Sequence, residues 1–284
     1  MTGDCHIHMV LDGVNYRTAI DRQKEQPDEA LIRSRLADYR ERGITYLRDG
    51  GDAWQVSVLA SRLAEEYGII YRTPAFPICR RGHYGSFIGK TFENLQEYKE
   101  LVSQVKLQGG HFIKLMLSGI MDFGCFGRIT DVPCEPEQIT DLVALAHDAG
   151  FSVMAHVNGA QTIAAALQAG VDSVEHGAYM EDETLHQLGE SSSVWVPTVL
   201  PVAVHCGRGA FPDAVLNPLV QLQLKNIRKA ASYGAQVALG TDAGAALVHH
   251  GTAVAEEYAL LRQALGDNTD RILQAGENAV RCKF

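Results

Sequence analysis

Apolar and polar positions along the chain follow two alternating rhythms. Short apolar runs such as Ile44-Thr45-Tyr46-Leu47 and Phe112-Ile113-Lys114-Leu115-Met116-Leu117 have the length and composition of buried strands. Between them lie longer stretches in which apolar residues such as Leu31, Leu36 and Tyr39 recur among charges, the mark of an amphipathic helix. The first rhythm predicts a strand around His6-Ile7-His8 and others over 44–49, 69–76, 111–117, 151–156, 171–176, 193–199 and 236–241. The second predicts helices over 28–41, 53–67, 92–107, 135–149, 160–169, 181–189 and 212–233, then helical sequence from 252 onward, broken near Gly266. Gly43, Gly68, Gly150, Gly170 and Gly234 stand where helix C-caps are expected.

Strand and helix alternate through eight units in 284 residues. Such alternation implies a parallel sheet, and eight units of this size fit an α/β fold closed as a (β/α)8 TIM barrel, a single domain over 1–284. A doubly wound open sheet is the runner-up, but no glycine-rich phosphate loop follows the first strand. The longest connections, 79–90, 118–134 and 200–211, all fall after strands. They would lie on the C-terminal face, where such barrels place their active sites.

Composition narrows the class. Apolar residues at 46% and charged residues at 21% are those of a soluble globular chain. A net charge of −9 argues against nucleic acid, whose phosphates call for clustered Lys and Arg. No run reaches the roughly eighteen apolar residues of a membrane span, and the first strand follows Met1 without room for a signal peptide. The six cysteines are scattered with no C-x-x-C pair, so reduced thiols and a cytoplasmic location are expected. Cys5 reads as a small buried apolar residue.

Polar residues then appear where strands end. His6 and His8, at i and i+2 on a strand, project from one face, and paired imidazoles begin a transition-metal site. On the barrel map His156 ends strand five, His176 ends strand six in Ser173-Val174-Glu175-His176-Gly177, and Asp242 follows strand eight in Gly240-Thr241-Asp242. Convergence of this set on one face points to metal. Lys114 lies inside the apolar run of strand four. It is either salt-bridged to Asp242 or Glu175, or desolvated to a neutral amine able to react with carbon dioxide.

These residues resemble the amidohydrolase superfamily of metal-dependent hydrolases. The segments Ile113-Lys114-Leu115-Met116-Leu117-Ser118-Gly119, Ser173-Val174-Glu175-His176-Gly177 and Gly240-Thr241-Asp242-Ala243-Gly244 are similar to its imidazolonepropionase, prolidase and carboxypeptidase branch. The resemblance implies two divalent metal ions, zinc before others. His6, His8 and Asp242 would hold one, His156 and His176 the second, and carbamylated Lys114 would bridge them. Hydroxide generated between the ions would attack an amide or peptide-like C–N bond of a small molecule (a dipeptide, an N-acyl amino acid or a cyclic amide), with Asp242 moving the proton to the leaving nitrogen. The branch usually carries a small β-sandwich on either side of the barrel sequence. Here only five residues precede His6, so a barrel without it is expected, whether natural or truncated, and homo-oligomerisation stays open.

For the substrate, the segment Cys79-Arg80-Arg81-Gly82-His83-Tyr84 offers His83 to polarise a carbonyl and Arg80 and Arg81 to pair with a carboxylate. Tyr84 and His250 are further candidates, with Asn15, Tyr16 and Arg17 on similar loops. Two other readings remain. A mononuclear-metal deaminase of a small heterocycle would not use Lys114, and a non-catalytic metal- or ligand-binding barrel would not need the proton-moving Asp242.

Overall fold

The computed structural model describes residues 2–284. In chain order the elements are β1 (Gly3–Ile7), α1 (Tyr16–Gln23), α2 (Glu29–Glu41), β2 (Tyr46–Asp49), α3 (Val56–Leu63), β3 (Ile70–Arg72), β4 (Pro77–Arg80), β5 (Lys90–Phe92) and α4 (Leu95–Leu107). There follow β6 (Ile113–Met116), α5 (Pro136–Asp148), β7 (Val153–Val157), α6 (Ala160–Ala169), β8 (Ser173–His176), α7 (Asp182–Glu190) and β9 (Val194–Val196). The last are α8 (Leu200–Ala203), α9 (Asp213–Ser232), β10 (Gln236–Val237), α10 (Ala253–Leu265) and α11 (Thr269–Lys283).

All strand pairings in the two sheets are parallel, in the orders β1-β2-β3 and β10-β9-β8-β7-β6-β4-β5. Backbone bonds join the sheets at both edges. On one side Leu239 O accepts from Cys5 N at 2.9 Å, His6 O from Asp242 N at 2.7 Å and Ala243 O from His8 N at 2.8 Å. On the other, the third barrel strand runs from β3, which pairs with β2, into β4, which pairs with β6. It is interrupted between them, where Ala75 takes a positive φ of 64°. The result is the ring of a TIM barrel, and the expected 69–76 strand is two shorter ones because that backbone turns out of the extended region there.

Three other differences have local causes. Phe92, expected to open a helix, instead ends β5, which pairs with β4, and α4 begins at Leu95 with Asn94 accepting from Glu97 N at 3.0 Å. The sequence reading left 16–23 without an element, yet Asn15 caps a helix there by accepting from Arg17 N at 3.0 Å and Thr18 N at 3.2 Å. The short helix α8 is held by Glu257, which accepts from Val199 N at 2.9 Å and Leu200 N at 2.7 Å.

The strand periodicity sets what lies where. Phe112 and Met154 are two residues before Lys114 and His156, so they occupy the same side of their strands one pleat deeper. They join Tyr46, Val194 and Val280 in a buried apolar cluster beneath the polar side chains. Cys5, fully buried, belongs to it. The Phe284 ring stands edge-on to Phe112 at 5.1 Å and lies 4.5 Å from the Arg48 guanidinium. Glu277 of α11 accepts from Thr2 N at 2.9 Å and Gly3 N at 3.1 Å, fastening α11 to β1. The six cysteines are free, and among the described residues no helix is long and apolar enough to cross a membrane.

Candidate metal centre

Four imidazoles form a continuous arc at the strand ends. Ring centroids are 5.3 Å apart for His8 and His6, 5.0 Å for His6 and His176, and 4.5 Å for His176 and His156. Asp242 closes the arc: its Oδ1 lies 3.6 Å from His6 Nε2 and 3.4 Å from His8 Nε2. One ligand atom from each of His6, His8 and Asp242 falls within 4.8 Å of the others, a cluster able to hold a metal ion. Lys114 stands in register with Met154 of β7, beside the pair Met116 and His156.

The backbone brings these side chains together at some local cost. His176, Thr198 and Asp242 end three barrel strands with positive φ values of 66°, 47° and 58°. Left-handed non-glycine residues of this kind persist where surrounding bonds fix them, and they cluster at functional sites. Close approach matters as much. A β-carbon on Gly50 would overlap the His8 ring, and one on Gly240 would overlap Val196 and crowd His6.

Hydrogen bonds orient the rings. His6 Nδ1 donates to Glu175 Oε2 at 2.6 Å, which leaves Nε2 as the lone-pair nitrogen. Glu175 is itself held by Arg48 Nη2 at 2.7 Å and Ser173 Oγ at 2.5 Å on Oε1, and all three side chains are fully buried. His176 Nδ1 lies 2.7 Å from Thr198 Oγ1, and His156 Nε2 donates to the Gly119 carbonyl at 3.2 Å.

Three buried nitrogens here have no hydrogen-bond partner: His6 Nε2, His8 Nδ1 and Lys114 Nζ. Unpaired buried polar atoms are costly, and a converging set of them fits an ion the donors are built to meet. Imidazole and carboxylate donors suit zinc and its neighbours. Burial, with the Lys114 charge next, lowers His8 and His156 to about 3, so the rings stay neutral and ready to ligate. Burial also lowers the Lys114 ammonium to about 8 and raises Asp242 to about 7. The sequence allowed Lys114 an ion pair with Asp242 or Glu175; instead Nζ has no partner, and Glu175 pairs with Arg48.

A cavity of about 610 Å³ opens above this floor. Of the substrate candidates it is lined by Tyr84, together with Asn15, Tyr16 and Arg17. The other four do not line the cavity and make contacts elsewhere. Arg80 Nη2 donates to Val132 O at 2.8 Å and Pro133 O at 3.2 Å, pinning the 118–134 loop. Arg81 forms ion pairs with Glu93 at 3.1 Å and Glu97 at 3.2 Å on the exposed surface. His83 Nδ1 lies 3.1 Å from Asp131 Oδ1. His250 bonds Tyr39 Oη at 3.1 Å and donates to the Leu11 carbonyl at 3.0 Å. The sequence reading missed Arg48 and Glu175 as orienting residues, although Tyr46/Arg48 and Ser173/Glu175 alternate on one face as plainly as His6/His8 does. It also missed Phe123 and His205, which come from loops without periodicity.

The fold is a parallel barrel whose strand ends carry a histidine–aspartate cluster. Residues 4–276 match the model of the Amidohydrolase family, and the chain belongs to that family. It is 28% identical over 192 residues to ochratoxinase of Aspergillus niger, covering 64% of this chain and 38% of the relative, so it spans well under half of that protein's length. The crystal structure of the A. niger ochratoxinase superposes with a TM-score of 0.79 at 20% identity, over 99% of this chain and 70% of that one. A Xaa-Pro dipeptidase with methionine bound in its active site superposes with a TM-score of 0.77 at 21% identity, over 99% and 75%. At such identity the two structures speak for the fold.

Proposed function

We propose that the chain is a metal-dependent hydrolase of an amide or peptide-like C–N bond in a small molecule, a single barrel domain working on the cavity above the histidine arc. The observation that carries this reading is Lys114: a buried amine without a partner, amid four neutral imidazoles and Asp242. Held near pH 8 by burial, its neutral form can add to carbon dioxide, losing one proton and gaining a carboxylate-like end. His6, His8 and Asp242 would hold one divalent ion, His156 and His176 a second, with modified Lys114 between. Bound there, the ions supply Lewis acidity and acidify water near neutral pH.

The chain's own residues do the rest. Asp242, beside His6 and His8 at the floor of the cavity, is placed to take a proton and return it to the leaving nitrogen. Tyr84 lies 4.9 Å from the His156 ring, and burial raises its phenol above the ordinary value, so it stays a neutral O–H donor toward substrate oxygen. Most of the side chains above the floor are apolar. Membership of the Amidohydrolase family supports a C–N bond as the target.

Metal-reconstituted protein screened against dipeptides, N-acyl amino acids and cyclic amides should show hydrolysis, with close to two divalent ions per chain. Asp242→Asn should lose at least about a hundredfold in kcat. The compact His6–His8–Asp242 cluster alone would serve the one-metal deaminase alternative. A stoichiometry of one with ammonia release, unaffected by Lys114→Ala, would replace the amide reading by that one.

A further inference from the structure

Four aromatic rings, Tyr16, Tyr84, Phe87 and Phe123, stand among the aliphatic side chains that line the cavity, and charge is nearly absent from its walls. Only Arg17, Lys114 and Asp242 among its lining side chains carry a formal charge, and the latter two belong to the floor. One wall climbs from the floor to the mouth as a ladder of rings. Tyr84 lies 4.9 Å from His156, Phe87 5.8 Å from Tyr84, and Tyr16 5.2 Å from Phe87. A second wall is Phe123, with its centroid 5.6 Å from His205; Phe211 backs both at 5.3 Å. Tyr84 and Phe87 come from the loop after the third barrel strand and His205 from the segment after the seventh, positions four apart in an eight-membered ring. Phe123 comes from the loop after the fourth strand, and all four side chains line the one cavity. Tyr16 and Phe87 are 42% and 39% exposed, so both rings are reachable from solvent.

We propose that the cavity selects amides bearing an uncharged planar aromatic group, which inserts between the Tyr84–Phe87 wall and the Phe123–His205 wall while the scissile bond rests on the floor. Rings of this kind pair with flat partners edge-to-face or offset at the centroid separations found within each wall. A cationic substituent has no carboxylate above the floor to meet it, and it would face Arg17 at the mouth. An aliphatic chain of equal length gains burial but not ring pairing. Burial lowers the His205 imidazole below its ordinary value, so it presents a neutral face. This inference rests on the proposed hydrolase reading for the position of the scissile bond, but the cavity's preference stands or falls by binding alone.

The test uses uncleavable ketone analogues of three N-acyl glycines, carrying phenylacetyl, hexanoyl or 6-aminohexanoyl groups, titrated calorimetrically into the zinc-loaded full chain. Turnover of the parent amides is measured in parallel. The phenylacetyl analogue should bind at least about tenfold more tightly than the hexanoyl one, with the cationic one weakest. Phe123→Ala and the half-exposed Phe87→Ala should each erase most of that preference, with metal content unchanged. Phe87→Ala serves alone if the Phe123 variant does not fold. Equal binding of the first two analogues, or tightest binding of the cationic one, overturns the proposal even if the amides are hydrolysed. Aromatic preference without any turnover keeps it and overturns the hydrolase reading.

Discussion

Glu175 has both oxygens engaged: Oε1 by Arg48 and Ser173, Oε2 by His6. That arrangement determines which nitrogen of His6 faces Asp242. A glutamine there can turn its NH2 toward Nδ1, which would place the ring's proton on Nε2, where a ligand lone pair is required. Glu175→Gln should therefore weaken metal binding about 10–100-fold in chelator competition while the fold persists. Arg48→Met should cost more in stability, about 3–5 kcal/mol by urea unfolding, because it strands a buried carboxylate. If Glu175→Gln binds metal like the parent, the orienting role is wrong. At this scale the sequence was most informative where polarity interrupted an apolar strand. His6, His8, Lys114, His156, His176 and Asp242 all converge as expected. Arg80, Arg81, His83 and His250 carried the same chemical promise, but loop contacts with Val132, Glu93, Asp131 and Tyr39 direct them elsewhere, and no local pattern encodes those contacts.

Among the elements, strand ends place the ligands and tight approaches between strands fix them. Gly50 follows β2 and donates to Ile7 O at 2.8 Å, holding the His8 ring against its bare Cα. Gly50→Ala would force that ring aside. We expect a loss of about 1–3 kcal/mol in stability, as for other overpacked sites, together with weaker metal binding that Gly43→Ala, on an open turn with nothing near its added carbon, does not show. Comparing the two by thermal unfolding and metal titration separates steric displacement from ordinary loss of a glycine. Long periodic helices and buried strands were legible because their pattern repeats over several turns. The elements α1, β5 and α8 were not, since each is short and owes its form to a partner: the Asn15 cap, pairing with β4, or the Glu257 carboxylate.

For the molecule as a whole, burial makes stability depend on pH in two opposing ways. Burial raises Glu257 from its ordinary 4.5 to about 8, so its contribution is fully present below about 4.5 and is lost as pH rises to about 8. The lowered rings act in the other sense: His156, brought from 6.5 to about 3, removes stability as pH falls through that interval. Urea unfolding of metal-free protein should thus show a declining contribution between about pH 4.5 and 8 that Glu257→Gln removes, by up to about 1.4 kcal/mol per pH unit. An unchanged slope across that interval would refute the assignment. The seam between β1 and the last barrel strand has a temporal consequence. Asp4 accepts from Thr241 across 237 positions of sequence, and the same seam brings His6 and His8 to Asp242. A chain still leaving the ribosome holds the histidines without their aspartate. An ion held by this set would be captured in full only after synthesis has passed the eighth strand and the ring has closed, so loading would report on completed folding rather than guide it.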